Sequence, residues 1–314
     1  MIRKNWQILW GAVLLFLLVF DVAYAIPQGQ NWHRWVEADL TLSRALSEQR
    51  TYLLDSGQVI KEFSQGRILR KAAEDRLKSL NDKAAASFSK ITRLDSSADP
   101  NMYACGLEVA RQQTAQIRAA HKLMQRENIS HDDILTLQSR EAAVSRAGSR
   151  YLKARRSSVK SFLEGWNKVR AGKVTVGQAG APNQELVNYY RFQVGLLALQ
   201  SEELEYSETI LDCLQKIAGG DKAEPLSILD KVRGLSGRCG ELKAESENLQ
   251  NLQKDYVREL DSFYHFAEAV DLLQKDVSAD STSRLSRWSA KLQRDSRAAE
   301  TRSMRLQEGL LRAE

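Results

Sequence analysis

Residues 103 to 124 read YACGLEVARQQTAQIRAAHKLM, and Tyr103, Leu107, Ala110, Thr114, Ile117, His121 and Met124 recur along them at alternating steps of four and three. That spacing keeps one stripe of an α-helix turned toward a neighbour, the seam of a coiled coil in miniature. The pattern extends outward in both directions. On the N-terminal side, Trp35, Ala38, Leu42, Ala45, Tyr52, Val59 and Phe63 mark a helix over 31–64, and Ala73, Leu77, Leu80, Ala84, Phe88 and Ile91 mark another over 67–94. On the C-terminal side a helix is expected from Ser130 to about Arg170, with the Ser130 hydroxyl capping its first turn and Asp132 and Asp133 complementing the positive end of its dipole. Asn183 caps the next helix. There Phe192, Leu196, Leu199, Tyr206, Ile210, Cys213 and Ile217 run beside a second stripe, Val187, Tyr190, Val194, Leu197, Leu204 and Leu211. Two adjacent apolar stripes demand broad burial, which makes this the central helix of the C-terminal half. A short piece near 225–234, a helix over 242–275 and a last one over 285–310 complete the series, with GLSGRCG at 234–240 read as a glycine turn.

The punctuation agrees with this assignment. Pro27, Pro100, Pro182 and Pro225 all stand outside the periodic runs, so no helix interior loses a backbone donor. Only KVTV at 173–176 alternates, and it is too short and too glycine-bound to build a sheet. With 314 residues, 43% hydrophobic and 27% charged, the chain can bury a sizeable core and is neither a disordered chain, a disulfide-dense mini-domain nor a polytopic membrane protein. The expected fold is all-α. It is an elongated antiparallel bundle of coiled-coil-like hairpins with six or seven long helices, divided into an N-terminal helical region over 30–128 and a C-terminal bundle over 129–314.

Residues 1–25 carry a different signal. Arg3 and Lys4 precede the apolar run from Ile8 to Phe20, and DVAYA follows. Thirteen apolar residues make roughly 20 Å of helix, short of the roughly 30 Å hydrocarbon core, while Ala23 and Ala25 supply the small-x-small pattern of a signal-peptidase site. Cleavage after Ala25 is expected; the alternative is a single uncleaved anchor. Either way the remainder is exported, to the periplasm or beyond the cell.

Charge is distributed unevenly within an overall balance of +6. Between Arg140 and Lys173 ten basic residues face two acids, and Arg146, Arg150, Lys153, Arg155, Arg156 and Lys160 form the densest part. The following helix reverses the sign with Glu202, Glu203, Glu205, Glu208 and Asp212. If the linker over 171–183 folds the two helices together, their charges set the register. The other reading is a basic face for an anionic membrane surface or a polyanionic envelope polymer. Near the C-terminus Arg284, Arg287, Lys291 and Arg294 form a second basic stripe beside Leu285, Trp288 and Leu292, as in an interfacial amphipathic helix.

Cys213 and Cys239 both project from core-facing phases, and in an oxidising compartment they are the candidate disulfide, with two buried thiols as the alternative. Cys105 is left over. The four histidines form no HExxH, Glu-x-x-His or CxxCH pattern, and no Walker loop or dinucleotide fingerprint is present. No catalytic, cofactor-binding or metal-binding residue is therefore assigned, and neither a specific nucleic acid nor a small-molecule substrate is evident. The sequence points to a non-enzymatic envelope scaffold or adaptor that binds a protein partner or its own copies. A basic surface binder is the second possibility and a ligand-sensing helical bundle the third, the last requiring a pocket.

Overall fold

The computed structural model describes residues 32–127, 130–171, 182–219 and 224–313. The leader with Ala23 and Ala25, and most of the linker with KVTV, lie outside them. Eight α-helices and no strand are present among the described residues: α1 (Trp32–Ser64), α2 (Arg70–Ile91), α3 (Pro100–Met124), α4 (His131–Arg170), α5 (Gln184–Gly219), α6 (Leu229–Gly240), α7 (Glu247–Lys275) and α8 (Ala279–Arg312). The all-α bundle is as the periodicity predicts, with eight helices in place of six or seven. At 40 residues α4 is about 60 Å long.

Helix starts follow from local chemistry. Ser130 Oγ accepts from Asp133 N at 3.2 Å while Asp133 Oδ2 accepts from Ser130 N at 3.0 Å, a reciprocal capping box that fixes the start of α4. Asn183 Oδ1 accepts from Leu186 N at 2.8 Å, as its position before α5 implies. Asp99 caps α3 ahead of Pro100, whose missing donor costs nothing in a first turn. Gly66, at φ 68°, sits in the left-handed region just past α1 and turns the chain into α2.

One segment departs from its local signal. GLSGRCG is not a turn but the body of α6, because Val232, Leu235 and Cys239 are all fully buried at helical spacing against α5 and α7. Their burial outweighs the roughly 1 kcal/mol that each glycine costs a helix interior. The break falls instead at 241–246, so α7 begins at Glu247 rather than near 242.

Successive helices are antiparallel neighbours, and α5 borders α4, α6, α7 and α8, confirming it as the central helix of the C-terminal half. The first helix ties the rest together. Along its length α1 packs on α2, α3 and α8. Its opening turns deliver Trp32, Trp35 and Val36 into the largest apolar core, otherwise built from α4 to α8. Trp35, Phe162 and Tyr190, from α1, α4 and α5, form a mutual aromatic contact with centroids 5.0 to 5.1 Å apart. A second cluster joins Leu42, Ile91, Met102 and Ala110 to Ala147 and Tyr151 of α4, so the apolar core runs continuously across residue 129. A third closes the far ends of α1, α2 and α3.

Candidate functional site

The bundle interior holds two charged clusters. In the first, Asp39 of α1 has no exposed surface and accepts from Arg155 Nε at 2.7 Å and Nη2 at 2.9 Å. Tyr190 Oη donates to Asp39 Oδ2 at 3.2 Å, and Gln307 Nε2 of α8 reaches the same oxygen at 2.9 Å. Tyr189 Oη and Gln193 extend the network to Ser303 at 3.1 and 3.2 Å. Burial alone would lower the Arg155 pKa, but the Asp39 carboxylate more than offsets it and holds the guanidinium well above its ordinary value. With both Asp39 oxygens engaged, this is a clamp on α1, α4, α5 and α8 rather than a reactive centre.

The second cluster lies farther along α1, where α5, α7 and α8 meet it. Arg50 of α1 donates to Ser296 Oγ at 2.7 Å and pairs with Glu300 at 3.5 Å. Glu259 of α7 is 5% exposed, and its Oε2 has no hydrogen-bond partner among the described residues. Burial, then the neighbouring Glu259 carboxylate, push Glu203 of α5 up to about 8, against the pull of Arg50. Burial also raises Glu259. One guanidinium, its side chain 43% exposed, thus faces three carboxyl groups, of which Glu259 is buried; desolvation favours the protonated forms of Glu203 and Glu259.

Of the candidate basic surface on α4, the structure keeps only part. Arg146, Arg150, Lys153 and Lys160 are exposed, and Lys153 pairs with Glu205 of α5 at 2.7 Å. Arg155 is not on the surface: it is drawn inward by Asp39. Arg156 is half-buried, and its Nε donates to the Val194 carbonyl of α5 at 3.1 Å. On α8, Arg284 pairs with Asp280 at 2.9 Å, and Lys291 bonds Asp295 and Ser262, both at 2.7 Å, 5.7 Å from the Trp288 ring centroid. Arg287 and Arg294 remain exposed. Leu285 and Leu292 turn toward the core, so the apolar stripe of α8 faces the bundle.

The Cys213–Cys239 disulfide is absent, and all three cysteines are free. The cause is register. Next to Cys239, Arg238 reaches Glu202, 11 residues before Cys213 on α5, which is about 16 Å of helix. Gln253 near the start of α7 donates to the Cys239 carbonyl at 2.8 Å, while Gln274 at its end donates to Cys213 Sγ at 2.7 Å. No disulfide spans such a separation.

A cavity of about 280 Å³ opens where α1 meets the α2–α3 connection and the start of α3, with Leu42, Leu94 and Met102 among its walls and Arg34, Glu37, Asp95 and Asp99 around it. Sequence reading missed this site and both interior clusters, yet phase carried a trace of them. Asp39 follows Trp35 by four and precedes Leu42 by three, and Arg155 follows Tyr151 by four, so each charge stands on an apolar stripe. Neither a protein-family model, nor a curated protein, nor a solved structure matches the chain.

Proposed function

We propose that the protein is an exported helical scaffold or adaptor of the cell envelope that acts by associating with a protein partner or with its own copies. The observation that carries this is the geometry of four helices, α1, α4, α5 and α8, each longer than 30 residues and clamped to one another by Asp39, Arg155, Tyr190 and Gln307. Such a clamp holds long faces at constant spacing, which is what a scaffold offers a partner. The N-terminal apolar run with Ala23 and Ala25 supports export, by cleavage or as an anchor.

Polyanion or membrane-surface binding is the second reading, favoured by Arg146, Arg150 and Lys160 on one outer stripe of α4. It is the weaker, since Arg155, Arg156, Lys153, Arg284 and Lys291 are all engaged within the chain. Cell fractionation with N-terminal sequencing tests export; a full-length chain retained in the cytosol refutes it. Light scattering on the purified chain, at low and high ionic strength, separates the two modes of binding. Salt-insensitive self-association or a stoichiometric protein complex supports the scaffold, whereas a monomer that binds heparin or anionic vesicles only at low salt supports the other.

A further inference from the structure

We propose that the cavity at the head of α1 and α3 is a binding site for a small organic cation, an alkyl- or arylammonium. It does not depend on whether the helical faces bind a partner. Residues 34, 37, 38, 41 and 42 of α1 form one wall by helical spacing, and the α2–α3 connection closes the other side. Leu42 and Met102, each 2% exposed, and Leu94 give the space an apolar lining. Its volume of about 280 Å³ suits a molecule at the small end of the ligand range.

Charge selects the ligand. Glu37, Asp95 and Asp99 stand around the cavity against one cation, Arg34. That guanidinium is already committed, donating to Asp95 and to Ser97 Oγ at 2.7 Å, so it is not available to an anion. Asp95 is held well below the usual carboxylate range by hydrogen bonds from Ser97 and Arg34 and stays ionised. Asp99 is locked in place. Its Oδ1 accepts from Met102 N at 2.9 Å, and its other oxygen accepts from Ser158 Oγ, which in turn accepts from the Trp35 indole N–H at 2.7 Å. Glu37 is the adaptable member, 56% exposed, with His33 Nδ1 at 3.6 Å. Two carboxylates therefore lack a fixed countercharge beside an apolar surface, the complement of an ammonium on a hydrocarbon body. Among the described residues no three His, Cys, Asp or Glu side chains converge closely enough to hold a metal ion.

The test is calorimetry or ligand-observed NMR on the full chain near neutral pH, where both probes are ammonium ions. Benzylammonium and hexylammonium are the probes, with benzyl alcohol and phenylacetate as the neutral and anionic controls. Both ammonium ions should bind, with the alcohol weaker by about tenfold or more and phenylacetate not bound. Glu37→Gln should weaken benzylammonium by roughly tenfold, and Thr41→Trp, which fills the cavity mouth, should abolish binding. Absence of binding by either ammonium, equal affinity for the alcohol, or unchanged affinity in Glu37→Gln would overturn the proposal. Glu37 is exposed, so that variant keeps the fold and decides the matter even if Thr41→Trp does not fold.

Discussion

Arg155 donates through Nε and Nη2 to the two carboxylate oxygens of Asp39, across 116 residues of sequence and with 11% and 0% of the two side chains exposed. A fork on a carboxylate in a dry interior leaves no tolerance for losing one member. Arg155→Met strands the Asp39 carboxylate and should cost about 3–5 kcal/mol in urea unfolding. The double variant Asp39→Leu/Arg155→Met should cost clearly less than the sum of the single changes, because no charge is left stranded. Strict additivity would show that the pair is not coupled.

The exposed pair two residues earlier on α4 provides the contrast. Lys153 and Glu205 are 62% and 50% exposed, so solvent screens their 2.7 Å contact. Lys153→Ala should change stability by less than about 1 kcal/mol, and any effect should fade with added salt.

Stability should also fall on the alkaline side. The folded-state pKa of Glu203, pushed up to about 8 by burial and by Glu259, lies above the ordinary glutamate value of 4.5. The folded state therefore holds a proton that the unfolded chain has released. Stability is fully present below pH 4.5 and declines as pH rises toward about 8, by at most about 1.4 kcal/mol per unit. Glu203→Gln should flatten that decline in denaturation curves taken between acid and alkaline pH. A Glu203→Gln curve that falls as steeply as the wild type would place the titration elsewhere.

Gly234 and Gly237 of α6 have open space where a Cβ would stand, and both are solvent-facing within a regular helix. Gly237→Ala should therefore raise stability by about 0.5–1 kcal/mol, seen as a higher unfolding midpoint. Gly195 behaves oppositely. A Cβ there would lie 2.5 Å from Leu242 Cδ2, so Gly195→Ala should destabilise until Leu242 is shortened.

Thiol counting checks the cysteine register. Three free thiols should titrate in denaturant without reductant, and intact mass should be the same with and without reduction. Burial pushes Cys239 up to about 12, so it should resist alkylation in the native state. A Cys213–Cys239 disulfide recovered from the folded chain would contradict the α5–α6 register.

Much of the fold was present in the one-dimensional pattern. Helix positions, the caps at Ser130 and Asn183, and the central standing of α5 all follow from spacing and capping chemistry, which act within a few residues and so are visible along the chain. GLSGRCG shows where that ends, since glycine's local preference yielded to burial of Val232, Leu235 and Cys239 by other helices. Only the tertiary structure decided how the helices register. Burial of Arg155, the separation of Cys213 from Cys239, the crowding of Glu203 and Glu259 and the cavity beside Glu37 each depend on which turns of distant helices lie level. Periodicity gives the face a residue occupies but carries no information about its height against a partner, and that height sets whether a charge meets water, a counter-charge or another acid.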